Sequence, residues 1–181
     1  MAMAEPVPAD AAADVVVGDF AEIVRRHQSM VFSVALHFLA DPPAAEELAQ
    51  DVFMQLHAKL STLKSPEHMV FWLRKVTSHR CIDRMRRHRM PQVSLEDLPE
   101  SVAFSPGVQP ADPFLARRLQ QLVASLPGKA RLMVILRYQE DLSAEDIAQI
   151  LDMPAATVKS HLKRALAILR DKVVRTMGEV R

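Results

Sequence analysis

The chain has 181 residues, 25% of them charged and 49% hydrophobic, with 23 Lys and Arg against 22 Asp and Glu. That is the composition of a water-borne globular protein of one large or two small domains, and no apolar run approaches the length a membrane crossing needs. A lone cysteine, Cys81, excludes an intramolecular disulfide and suits a reducing cytoplasm, and four glycines leave little material for phosphate-cradling loops.

Segregation of charge tells more than its total. From Asp41 to Gln55 there are four acids and no base, whereas from Arg74 to Arg89 seven Lys and Arg stand against one acid, Asp83. Residues 1–18 are rich in Ala, Pro and Val, lack a basic start and include Glu5, Asp10 and Asp14, so they read as a disordered tail and not as a signal peptide. Asp19 is placed to cap a helix from Phe20 to about Ala40, with Glu22 completing a capping box and Ile23, Val24, Val31, Val34, Ala35 and Phe38 on its apolar side. Asp41-Pro42 opens a second helix, aspartate as cap and proline at the first position, that runs to about Leu60. It buries Ala45, Leu48, Ala49, Val52, Phe53 and Leu56 and shows Glu46, Glu47, Gln50 and Asp51 on its other face. A loop over 61–66 precedes a third helix from about Glu67 to His88, which carries Phe71, Trp72, Leu73, Val76, Ile82 and the basic cluster.

The character then changes. Pro91 to Pro113 holds five prolines and four acids (Glu96, Asp97, Glu100, Asp112) with no Lys or Arg, a composition that buries little apolar surface and reads as an acidic linker. A second helical unit follows from about Phe114 to Met177. The expected fold class is all-α: a tail over 1–18, a helical domain over 19–90, a linker over 91–113, and a second helical domain over 114–181 that contains a helix-turn-helix.

That motif spans Leu142 to Arg164. Ser143 is an N-cap with Asp146 three residues on, and Leu142 with Ile147 is spaced as a hydrophobic staple. Ile147, Ala148, Ile150 and Leu151 form one apolar face, and Asp152-Met153-Pro154 ends the helix because a residue before proline is pushed out of the helical region. Pro154 is suited to the first position of the next helix, in which Val158, Leu162, Ala165, Leu166, Leu169 and Val173 form a core-facing stripe. Lys159, Ser160, Lys163, Arg164 and Arg170 lie off that stripe. Cations and a hydroxyl at the exposed start of a helix suit entry into the major groove of DNA.

These residues carry a resemblance. Ala45-Glu46-Glu47-Leu48-Ala49-Gln50-Asp51-Val52-Phe53, Phe71-Trp72-Leu73-Arg74 and Cys81-Ile82-Asp83-Arg84-Met85-Arg86-Arg87 resemble signatures in the first domain of the extracytoplasmic-function (ECF) sigma factors of bacterial RNA polymerase. Leu126-Pro127, Val134-Ile135-Leu136-Arg137-Tyr138, Leu142-Ser143, Ile147-Ala148 and Pro154 to Ser160 are similar to the second domain of the same sigma-70 group, in order and approximate spacing. The resemblance covers about residues 19 to 175. It implies that Glu47, Gln50 and Asp51 dock on a coiled coil of the polymerase's largest subunit. It implies downstream (−10) element contacts by Lys64 and Ser65 in a base-capturing loop and by Arg74, Lys75, His79, Arg80, Arg84 and Arg87, with His79 standing where the family often has Asn. A basic helix with aromatics suits a single strand, although Phe71 and Trp72 read better as core than as stacking platforms. For the upstream (−35) duplex the resemblance implies Thr157, Lys159, Ser160, Lys163 and Arg164, with His161 in place of a commonly basic Arg. The implied partners are core RNA polymerase, promoter DNA and an anti-sigma factor, and the implied location is cytoplasmic.

No enzyme and no cofactor is expected. Cys81 with His79 or His88 lacks the four-ligand spacing of a structural zinc site, and Glu46/Glu47 and Glu145/Asp146 diverge by about 100° around their helices, a poor arrangement for an acid–base pair. Two other readings fit part of the chain. A LuxR-type transcription regulator accounts for Thr157 to Leu162 but leaves the first domain unexplained. A sigma mimic that sequesters an anti-sigma factor is free to lose its DNA-facing cations, yet both domains carry them.

Overall fold

The computed structural model describes residues 20–88 and 113–178. The tail over 1–18, the Asp19 cap and the linker expected over 91–113, except its last residue Pro113, which belongs to a helix, lie outside the described residues. Within them stand seven α-helices and no strand: α1 (Phe20–Leu39), α2 (Pro42–Lys59), α3 (Pro66–His88), α4 (Pro113–Ala124), α5 (Gly128–Tyr138), α6 (Ala144–Ile150) and α7 (Ala155–Gly178).

The local signals act as their chemistry requires. Asp41 has extended backbone and accepts a hydrogen bond from the Ala44 N–H at 3.1 Å, with Pro42 inside the first turn. Ala40 makes the corner before it in the left-handed region, at φ 56°. Ser143 accepts from the Asp146 N–H while the Asp146 carboxylate accepts from the Ser143 N–H, so the capping box is reciprocal. Ser65 caps α3 by accepting from the His68 N–H at 3.1 Å, which moves the start of that helix to Pro66, one residue earlier than its sequence pattern suggests. Between α6 and α7, Asp152 turns the chain at φ 51°, a conformation that Asp tolerates. The Pro154 carbonyl then takes the first bonds of α7, from Thr157 and Val158, so the proline precedes that helix instead of opening it.

Helices α1, α2 and α3 pack on one another, and α5, α6 and α7 form the second unit. The two units share a continuous apolar core. It runs from Val31, Phe38, Leu56 and Leu73 in the first to Met133, Leu136, Ile147 and Val158 in the second. Each such side chain contributes about 1.5–3 kcal/mol by leaving water. Arg131 helps to join the units. Buried at 8% exposure, it donates to the Phe38 carbonyl at 2.8 Å and to the Ala124 carbonyl, and its guanidinium lies 5.8 Å from the centre of the Phe38 ring. Phe38 and Ala124 lie in the last turns of α1 and α4, so the cation sits where two helix dipoles are negative.

The expected stripe on α7 is only half right. Val158 and Ala165 are fully buried, but Leu166 is 41% and Val173 37% exposed. With 24 residues α7 is about 36 Å long, twice the length of the 11-residue α5 on which it packs. Periodicity names the apolar face of a helix; it does not say how far a neighbour extends along it.

Candidate nucleic-acid interface

Upstream reading was assigned to the start of α7, and there the structure groups its residues as expected. Thr157, Lys159, Ser160, Lys163 and Arg164 are all exposed on the first turns, on the side opposite Val158 and Ala165. Lys159 reaches across to Glu145 of α6 at 2.8 Å, an exposed pair that holds the side chain loosely. His161, in place of a commonly basic Arg, is half-buried.

The downstream residues lie along α3 and its approach, but most are engaged. Arg74 donates through Nε and Nη2 to Glu140 at 3.3 and 3.2 Å. Lys75 bonds Asp152 at 2.7 Å, and His79 Nε2 lies 3.0 Å from the Ile150 carbonyl and 3.5 Å from Asp152. Arg84 pairs with Glu47 of α2 at 2.6 Å, and Arg80 donates through Nε to Gln55 at 2.9 Å once that amide is turned oxygen-first. Arg87 is exposed, as is Lys64 in the preceding loop. Ser65 holds the first turn of α3, so its hydroxyl already has structural work at the position assigned to base capture. Phe71 and Trp72 pack partly buried against the core, as their positions suggested.

On α2, Glu47, Gln50 and Asp51 are exposed together on one face. Gln50 and Glu46 also line a groove of about 940 Å³ between α1 and α2, together with Val24, Phe32, Phe53 and Met54. Glu47 and Arg84 bring the acidic face and the basic helix into direct contact, a link that no local spacing announces.

Several electrostatic shifts follow from these contacts. Burial pushes the Glu140 carboxyl up from the ordinary value, and Arg74 opposes that rise. The Lys75 hydrogen bond holds Asp152 down, and the Ser143 hydroxyl does the same for Asp146. Burial raises the Cys81 thiol far above its usual range, so this buried side chain behaves as a small apolar group. Glu140, Asp152 and Arg131 were missed at the level of sequence, because a partner more than sixty residues away leaves no local pattern.

Models of sigma-70 region 2 and sigma-70 region 4 match residues 23–90 and 116–169. The RNA polymerase sigma-E factor of Streptomyces coelicolor is 33% identical over 156 residues, covering 86% of each chain. The ECF RNA polymerase sigma factor SigW of Bacillus subtilis is 26% identical over 85% of this chain and 88% of its own. The probable RNA polymerase sigma factor RfaY of Xanthomonas campestris is 30% identical over 86% of this chain, which spans 40% of that longer protein. Among solved structures, the sigma factor RpoE of Bartonella quintana, in complex with the anti-sigma factor NepR, matches with a TM-score of 0.67 at 26% identity, over 86% of this chain and 96% of that one. No described helix is long and apolar enough to cross a membrane. Two sigma regions in their proper order, together with relatives matched over most of their own length, make this chain a member of the ECF group of sigma-70 RNA polymerase sigma factors.

Proposed function

We propose that the protein is an alternative promoter-specificity subunit, which binds core RNA polymerase, reads an upstream duplex with α7 and presents α3 to an unpaired downstream strand. Glu47, Gln50 and Asp51 form the polymerase-docking face. Thr157, Lys159, Ser160, Lys163 and Arg164 read or anchor the upstream element. Lys64, Ser65, Arg74, Lys75, His79, Arg80, Arg84 and Arg87 serve the downstream one. The domains run over 19–90 and 114–181, with an acidic linker over 91–113 between them. Catalysis belongs to the polymerase and this chain supplies none; it works in the cytoplasm, where the template is.

One observation carries the reading: a single chain bears two separate cation-rich helices, one in each matched sigma region. The RpoE relative, solved with an anti-sigma factor, supports control by a partner of that kind. A LuxR-type regulator would use the second domain alone, whereas the family match takes in both.

The electrostatic part has a direct test. If about four phosphates are neutralised on a duplex carrying the upstream element, binding by the full chain falls roughly a hundredfold between 50 and 200 mM salt. Fluorescence anisotropy of a labelled duplex measures this, and a flat salt response contradicts the assignment.

A further inference from the structure

We propose that residues 12–17 of the chain's own N-terminal segment lie in the groove between α1 and α2, covering Met54 and Gln50 until core polymerase takes their place. The competition rests on the reading of Gln50 as part of the polymerase-docking face; the seating of the segment does not.

The groove is lined by Val24 and Phe32 of α1 and by Phe53 and Met54 of α2. Met54 is 72% exposed, more than any other large apolar side chain among the described residues. Apolar surface of this kind gains free energy by being covered. Phe20, the first described residue, lines the same groove, and its ring meets His57 edge-on with centroids 4.9 Å apart. The chain therefore enters α1 at the mouth of the groove.

What precedes Phe20 suits that space. Residues 1–19 carry the acids Glu5, Asp10, Asp14 and Asp19 with no Lys or Arg, and the run Val15-Val16-Val17 ends three positions before Phe20. Gly18 adopts either sign of φ at little cost, so the chain can reverse there and run back along α1. From Phe20 to Phe32 the groove follows about 18 Å of helix, and Ala12 to Val17 in extended form spans about 20 Å. Alternate side chains then turn inward, Val17 and Val15 toward Val24, Phe53 and Met54, and Ala13 toward Phe32. Asp14 comes level with the exposed amides of Gln28 and Gln50, which donate to a carboxylate at the rim. Asp19 stays at the end where α2 finishes in exposed Lys59, and Glu46 lies at the far end, about 16 Å along α2 from His57.

So short a tether holds the segment at high effective concentration, and a contact too small to join two molecules is populated within one. Gln50 lines the groove and stands beside Glu47 and Asp51 on the docking face. A seated segment thus covers part of the surface that polymerase needs.

The test compares the full-length chain with the double variant Val15→Ser, Val17→Ser, which removes the side chains that seat the segment and alters none of the described helices. The first readout is peroxide oxidation of Met54, followed by peptide mass spectrometry, because a covered thioether reacts slowly. In the unaltered chain Met54 should react several-fold more slowly than in the variant, at every protein concentration. Val7→Ser, outside the segment, should behave as the unaltered chain. Equal Met54 rates in the unaltered and variant chains overturn the proposal. So does protection that grows with protein concentration and survives in the variant, which would place a second copy in the groove.

The second readout is affinity for core polymerase. If about nine chains in ten are covered, the variant binds about tenfold tighter; equal affinity overturns the competition. If neither chain binds core while the variant still exposes Met54, the polymerase role falls and the seated segment stands.

Discussion

The first turns of α7 and the middle of α3 are both rich in cations, yet one faces solvent and the other faces the chain itself. On α7 the basic residues stand opposite a short apolar stripe, and the partner of Lys159 is fourteen positions away in the adjoining helix. On α3 the partners of Arg74 and Lys75 lie 66 and 77 positions away. The surroundings of the α7 cations are set by the helix's own sequence and its immediate neighbour. On α3 the surroundings of the cations are set by residues that only the fold brings near.

The strongest way to break the comparison is to loosen the join between the two units. Arg131→Met removes a buried cation that serves carbonyls in both and leaves them without a donor. Global stability should fall by about 3 kcal/mol, read by urea denaturation. A loss below about 0.5 kcal/mol, the range of a surface change, would show that Arg131 contributes little to the join. Next in size, Lys159→Ala and Arg164→Ala should each weaken upstream duplex binding by about 1–3 kcal/mol if the side chain reads a base. Neither should alter binding of a single-stranded downstream oligonucleotide; equal effects on both ligands would erase the distinction between the two surfaces.

Smaller effects sharpen the local side of the argument. Ser143→Ala should cost about 1 kcal/mol by removing the N-cap of the seven-residue α6, visible as a lower Tm. Asp146 adds a pH dependence. Its native pKa is depressed by Ser143, so its stabilising contribution is complete above the unfolded value of about 3.9 and is lost as pH falls through the native value. The Ser143→Ala chain should therefore show a shallower drop in Tm between pH 5 and pH 3. An acid limb identical to that of the unaltered protein would mean that the cap does not set this titration.

These contrasts also explain what was legible in the sequence. Asp41 and Ser143 announced their helices because a cap acts over three residues, and both bonds form as the spacing requires. The all-α class and the exposed faces of α2 and α7 followed from period alone. Ser65 was read as part of a loop, and its cap on α3 went unread because no acidic or amide residue stands three positions on to complete a capping box. Leu166 and Val173 were placed in the core because nothing in a stripe says where the neighbouring helix stops. The engagement of Arg74, Lys75 and His79 could not be read at all. Glu140 and Asp152 look like ordinary turn residues until the fold brings them to α3.

The most direct test of the account is initiation in a purified system, with core polymerase, promoter fragments from the source genome, and the protein present or absent. The account predicts specific transcripts that require the protein and share an upstream and a downstream element, with Lys159→Ala reducing their yield. No association with core polymerase and no protein-dependent transcript from any fragment would contradict it.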